Sequence, residues 1–312
     1  MAFSIFKDGE IGGAEYKNVR DDLEIQDFRD WINSTTEQYL PYCGDNLTHL
    51  RNIASDNFQG FLWQLFVFEF LQSGGLELKK SSPAGPDFCL NLDGKTVWVE
   101  AISVTRGQGD LQVPEPEYED VEIDGTIIKS ASWCRTHPDP LIKLRLTEAI
   151  QRKHGDFSGN NGYLDYLTKG IVKTSEPYLI ALNYGEIPFV FNVTDPSYIS
   201  MTVFGLGPYS ISFDRKSLKS QGGKYLDQPN VNKKNAEVET AYFNRSTYTG
   251  ISGIIASPER VSSLKYSNQP QVEIVPNPEA RNPVPNEILG LEFTSVVSFE
   301  DIPGGKRIHF KK

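Results

Sequence analysis

Apolar residues run almost unbroken from Phe61 to Leu71 (FLWQLFVFEFL). The run is apolar nearly all round, the pattern of a helix buried between two layers. Ser55 or Asp56 is placed to cap it and Gly74-Gly75 to end it, so a helix is expected over 56–73. Three strands are expected next: Leu76–Ser81, Asp87–Leu92 and Thr96–Val104. A Pro-Ala-Gly-Pro turn separates the first two, and Asp93-Gly94, a tight hairpin signal, joins the last two antiparallel. On the last strand Trp98, Glu100, Ile102 and Val104 share one face, and Val97, Val99 and Ala101 share the other. Both faces are apolar, which places this strand in the middle of a covered sheet.

Elsewhere the pattern is weaker. A helix is expected over Leu23–Leu40, within a peripheral helical layer formed by residues 1–50. Residues 105–135 read as a solvated acidic loop or hairpin carrying Glu115, Glu117, Glu119, Asp120, Glu122 and Asp124. Asp139-Pro140 starts a helix with Ile142, Leu146, Ala149 and Ile150 as its buried stripe, and Lys143, Arg145, Arg152 and Lys153 elsewhere on its surface. Tyr178–Asn183 reads as a buried strand, and Val190–Val193, Ser210–Phe213 and Gly253–Ala256 as further strands. The basic, Gly- and Asn-rich segment 215–235 reads as a mobile loop, and Pro276–Pro285 as extended chain. Leu291–Val297 and Lys306–Phe310 are expected to pair. The class is α/β (α+β): a central mixed sheet flanked by helices, with additional C-terminal strands. Residues 51–200 form the expected core, with 105–135 inserted, and 201–312 an extension packed on the same domain.

The chain of 312 residues is 38% hydrophobic, with 12% aromatic residues and a net charge of −10. It is long enough to bury a large core. The acidic balance argues against a protein that merely coats phosphates, although a site that collects metal ions is itself acidic. Cys43, Cys89 and Cys134 are odd in number and far apart, without a CxxC pair, which suits a reducing cytoplasm better than a disulfide or zinc framework. No apolar run is long enough for a membrane span.

Glu100 on a strand apolar on both faces needs a partner, a proton or a cation. Counting back from Asp93-Gly94 brings Asp87 to the level of Glu100, and two carboxylates brought together repel unless a cation lies between them. Mg²⁺, a hard ion that prefers oxygen ligands, suits such a pair. Glu69, amid Leu62, Leu65 and Phe66 on the apolar helix, is a third carboxylate whose position asks for a reason. Alternatives stand beside these readings. Asp87 could close the proline turn, Glu100 could pair with Arg145 or Lys153, and Glu69 could form a structural ion pair at the helix edge. The histidines are scattered, and no phosphate-binding glycine loop is present.

Pro86-Asp87, a hairpin, and Glu100 on an apolar strand after a buried helix resemble the PD-(D/E)xK (restriction-endonuclease-like) nuclease superfamily. GPDF (85–88), WVEA (98–101), RLTEAIQRK (145–153) and PYLIALN (177–183) are similar to an uncharacterised bacterial group within it. The resemblance implies a restriction-endonuclease-like core and an Mg²⁺- or Mn²⁺-dependent endonuclease acting on nucleic acid, DNA before RNA, in restriction, defence or repair. Asp87, Glu100 and the Ala101 carbonyl would hold the metal, with Glu69 or Gln64 completing its shell. The lysine that the superfamily places two residues after the glutamate is replaced by Ile102. Lys153 is the first substitute, Lys80 the second, and Lys79 a further possibility on the same strand. Two other functions compete: a binding protein that kept the fold and lost the chemistry, and a different hydrolase using the same carboxylates.

Overall fold

Four helices occupy the first part of the chain: α1 (Ala14–Asp21), α2 (Gln26–Tyr39), α3 (Leu47–Asp56) and α4 (Phe58–Ser73). The expected cap of the apolar helix is corrected by one or two residues. Ser55 and Asp56 end α3, and Asn57 starts α4, its side chain accepting from the Gly60 N–H at 3.2 Å. Gly74 closes the helix, and Gly75 follows at φ +75°. The computed structural model describes residues 3–9, 11–116, 118–123, 126–131, 137–157, 161–190, 196–234, 236–302 and 305–311. Glu117, Asp124, Cys134 and most of the expected strand at Val190–Val193 lie outside them.

The strands β1 (Glu77–Lys79), β2 (Phe88–Leu92) and β3 (Lys95–Thr105) follow α4 in the expected order. The acidic segment forms a hairpin, β4 (Tyr118–Ile123) with β5 (Thr126–Ala131). Next come α5 (Asp139–His154), α6 (Tyr163–Thr168), β6 (Tyr178–Glu186) and α7 (Tyr198–Phe204). Two small ribbons pair β7 (Leu206–Phe213) with β8 (Ser220–Asp227), and β9 (Asn230–Lys233) with β10 (Ala236–Glu239). The chain ends with β11 (Gly253–Ser257), α8 (Val261–Tyr266), β12 (Glu273–Pro276), α9 (Asn286–Leu289), β13 (Ser295–Ile302) and β14 (Gly305–Lys311).

Eight strands form one mixed sheet in the order β1-β2-β3-β6-β11-β12-β13-β14. Neighbours are antiparallel at β1-β2-β3, parallel at β3-β6-β11, antiparallel at β11-β12, parallel at β12-β13 and antiparallel at β13-β14. The α/β class, the mixed sheet flanked by helices and the added C-terminal strands are those expected from the sequence. The sheet draws strands from both 51–200 and 201–312. No described helix is long and apolar enough to cross a membrane.

Alternation along β3 divides the interior in two. Val97, Val99 and Ala101 join Leu179, Ala181 and the α4 residues Phe61, Leu65 and Phe68. Trp98 and Val104 join Tyr178, Ile180, Leu182 and the α5 residues Ile142, Leu146 and Ile150. Trp63 of α4 is fully buried and donates through Nε1 to the Ala181 carbonyl at 2.9 Å, tying the helix to the sheet. Trp63→Phe removes this donor and part of a packed ring. It is expected to cost about 2 kcal/mol, read as a lower urea midpoint.

Two surface expectations are corrected. Lys143 is 3% exposed, because its ammonium turns under the base of the β7–β8 ribbon. The segment expected as a mobile loop at 215–235 instead contains β8 and β9. Its Gly- and Lys-rich strands carry no regular apolar face from which pairing could be read.

Candidate active site

The β2–β3 hairpin sets the site. Asp93 (φ +49°) and Gly94 (φ +80°) both take the left-handed conformation that a two-residue type I′ turn requires. The register then runs from Leu92 opposite Lys95 to Phe88 opposite Val99, and one further step sets Asp87 against Glu100. The Asp87 N–H donates to Glu100 Oε2 at 3.2 Å. Asp87 Oδ2 accepts from the Ala101 N–H at 2.7 Å, filling a backbone position that a longer β2 would have used. Oδ1 accepts from Gln64 Nε2 of α4 at 2.6 Å, and the Tyr39 hydroxyl of α2 donates to the Asp87 carbonyl at 3.4 Å. The side chain does not close the proline turn. That is done by the Gly85 N–H on the Ser82 carbonyl at 2.9 Å and by the Ser81 hydroxyl on the Pro86 carbonyl.

Glu100 lies on the opposite side of the sheet from α4 and is 4% exposed. Lys153 Nζ donates to its Oε1, and the Tyr166 hydroxyl of α6 donates to Oε2 at 3.3 Å. Lys153 comes from the last turn of α5, where Gly155 at φ +99° ends the helix and the Tyr178 hydroxyl donates to the Lys153 carbonyl at 3.2 Å. Arg145 instead donates to the Thr105 carbonyl and to Glu148. Ile102, two residues from Glu100 on the same face, packs against the second core. Since α5 covers that face, an ammonium reaches Glu100 from across the interface rather than along the strand.

The electrostatics are unbalanced. Burial, and then the charge of Glu100, push the Asp87 carboxyl up to about 7, against the pull of Lys153 and the Ala101 N–H. Burial alone would lower Lys153, but the charges of Glu100 and Asp87 outweigh it and hold the amine above its ordinary value, so it stays a cation. Burial and the two carboxylates raise the Tyr166 hydroxyl far above the usual phenol range, so it remains a donor. Two carboxylates thus face one ammonium. An ion pair in the core needs only one carboxylate for its lysine, and the second is costly unless protonated or met by a cation.

The chemistry of the donors fits a hard divalent cation. Glu100 Oε1 and both Asp87 oxygens accept one hydrogen bond each and keep acceptor capacity, whereas Glu100 Oε2 already accepts two. A strand residue presents its N–H and C=O on the same edge, so the Ala101 carbonyl shares the edge on which its N–H meets Asp87. Past Val99 that edge is covered by no described strand, since β2 ends there. Among the described residues no group of three or more His, Cys, Asp or Glu surrounds a common point. Asp87, Glu100 and the Ala101 carbonyl would therefore be completed by water, as Mg²⁺ sites commonly are.

The other candidates stand apart. Glu69 is about 140° around α4 from Gln64. It accepts from Trp31 Nε1 at 2.9 Å and pairs with Lys265 at 3.0 Å, the structural ion pair at the helix edge. Lys80 and Lys79 are exposed and make no described contact with either carboxylate. Tyr39, Tyr166 and Tyr178 support the site but carry no pattern in the sequence that marks them. Glu273 was also missed, because β12 was not foreseen. Burial pushes it up to about 7, against hydrogen bonds from Ser197 Oγ at 2.7 Å and the Tyr184 hydroxyl at 3.3 Å. Compared with known proteins, the chain matches no family model, no curated protein and no solved structure.

Proposed function

We infer that the chain is a divalent-metal-dependent nuclease of the PD-(D/E)xK kind, hydrolysing phosphodiester bonds of nucleic acid, DNA before RNA. The observation that carries this reading is the cluster of Asp87, Glu100 and Lys153. The Asp87 N–H donates to the Glu100 carboxylate, the next backbone N–H along β3 holds the Asp87 carboxylate, and Lys153 pairs with Glu100, so two acidic side chains share one ammonium.

Asp87, Glu100 and the Ala101 carbonyl would hold Mg²⁺ or Mn²⁺. When bound, such an ion polarises the phosphate and lowers the pKa of a water. Lys153 keeps a positive charge beside the pair, where negative charge accumulates in the transition state. It supplies from α5 what Ile102 cannot supply from β3. Gln64 and the Ala101 N–H fix the Asp87 carboxylate, while Tyr166 fixes Glu100, so neither has to reorient during reaction.

Calorimetry with Mn²⁺ and Mg²⁺ tests the site. The wild type is expected to bind, and Glu100→Gln to weaken binding at least about tenfold. Equal binding by both would remove Glu100 from the role. One observation favours the second reading, a binding protein without catalysis: Lys153 already neutralises Glu100 in the core. That reading expects neither cation binding at the pair nor hydrolysis.

A further inference from the structure

The β7–β8 ribbon exposes what a strand pair ordinarily buries. Its register sets Tyr209 opposite Tyr225 and Ile211 opposite Gly223, and it hydrogen-bonds to no other strand among the described residues. Tyr209 and Ile211 share one face of β7 and are 53% and 51% exposed, and Phe213, 57% exposed, follows beyond a register shift between Ile211 and Phe213. The Tyr225 ring sits 4.9 Å from that of Tyr209. Gly223 lies beneath the Tyr209 ring, which a side chain there would displace. The face is thus an open aromatic ledge. At the tip, Asp214 is engaged within its own turn, accepting from the Lys216 N–H at 3.1 Å, the Ser217 N–H at 2.7 Å and the Ser217 hydroxyl at 2.8 Å. Arg215, Lys216 and Lys219 are exposed around it.

An apolar ledge beside clustered cations fits an anionic polymer with flat, unpaired rings: phosphates meet the cations and bases stack on the aromatics. The ribbon is also tied to the candidate active site. Lys143 donates to the Leu206 carbonyl and to Gln228 Oε1, both at 2.7 Å, and so clamps the base of the ribbon onto α5. The same helix delivers Lys153 to Glu100, about 15 Å further along. A fixed spacing between arm and carboxylates suits a strand long enough to touch both. A lipid surface or a second copy of the chain would not need it.

We propose that the β7–β8 ribbon is a binding arm for single-stranded nucleic acid, with bases stacking on Tyr209 and Phe213 and phosphates held by Arg215, Lys216 and Lys219. This rests on the nuclease reading and names the form of its substrate. The test is fluorescence anisotropy of a labelled oligothymidine strand with the full chain in EDTA, at low and at physiological salt. The wild type is expected to bind the strand more tightly than a duplex of equal length. Tyr209→Ser with Phe213→Ser should loosen binding at least about tenfold. Lys216→Glu with Lys219→Glu, at exposed tip positions, should loosen it and flatten its salt dependence. Near-ultraviolet circular dichroism checks that both variants keep the fold.

Ribbon-dependent binding without any hydrolysis by the wild type would sink the nuclease reading and leave the arm standing. Binding indifferent to both ribbon variants would overturn the arm, even if the wild type hydrolyses nucleic acid. So would a wild-type dimer that the Tyr209/Phe213 variant dissociates, or ribbon-dependent binding to phosphatidylserine vesicles with none to the oligonucleotide.

Discussion

Incubated with Mg²⁺ or Mn²⁺, the protein should hydrolyse nucleic acid, and Asp87→Ala should lower the rate at least about a hundredfold. The Asp87 N–H donates to the Glu100 carboxylate, and the Asp87 carboxylate accepts from the Ala101 N–H and the Gln64 amide. Truncating it removes one of two carboxylates from the site and releases the groups that orient it. Lys153→Ala separates catalysis from binding. It removes the positive charge beside the pair while leaving both carboxylates, so hydrolysis should fall by a comparable factor and calorimetric Mn²⁺ affinity should hold. If Lys153→Ala hydrolyses like the wild type, the ammonium has a structural role alone. If neither the wild type nor any variant acts on single-stranded or duplex DNA or RNA, the binding reading replaces the nuclease.

In the absence of divalent cations, Asp87→Asn should stabilise the protein at about pH 8, whereas Lys153→Met should destabilise it. The sign follows from linkage. The Asp87 carboxyl titrates at about 7 in the fold and near 3.9 in the unfolded chain. Its contribution to stability is fully present below about pH 4 and is lost as pH rises through about 7. Asparagine keeps the neutral form at every pH, and a flip of the Gln64 amide lets its oxygen accept from the new Nδ2–H. The gain at about pH 8 should be on the order of 2 kcal/mol, and near pH 4 it should vanish. Lys153→Met leaves Glu100 buried beside Asp87 with no cation, a loss of about 3–5 kcal/mol. Thermal unfolding against pH measures both. Glu273 shares the raised pKa and the same pH window, so the difference between wild type and Asp87→Asn isolates the site. Saturating Mn²⁺ should raise the wild-type midpoint and leave that of Asp87→Asn nearly unchanged. A destabilised Asp87→Asn at about pH 8 would mean that Asp87 is a net structural support, contrary to its place in the proposed metal site.

The two carboxylates were legible because their meeting is local. Asp93-Gly94 accepts only a tight turn, the turn sets the register, and the register carries Asp87 to Glu100 within 14 residues of chain. The alternation of β3 was equally plain, since each of its apolar residues had to face one core or the other. α4 shows where local reading stops. A helix apolar all round has no pattern to say which side meets what, so Gln64 and Glu69 were equal candidates for one place. Packing against β3 sends Gln64 to Asp87, while α2 and α8 draw Glu69 to Trp31 and Lys265.

By itself, then, the sequence determined the α/β class, the helix–strand–hairpin order around Asp87 and Glu100, and the two faces of the central strand. These follow from periodicity and turn chemistry, which act over a few residues. Only the tertiary structure decided which cation meets the pair, because Lys153 lies 53 residues from Glu100 and reaches it through the packing of α5 on the sheet. It alone decided that Lys143 is buried and that a Gly- and Lys-rich segment pairs into a ribbon, for neither carries an apolar period of its own. Backbone hydrogen bonds between distant strands and the burial of a charged amine are settled by what lies across the interface, and a linear pattern of residues does not record it.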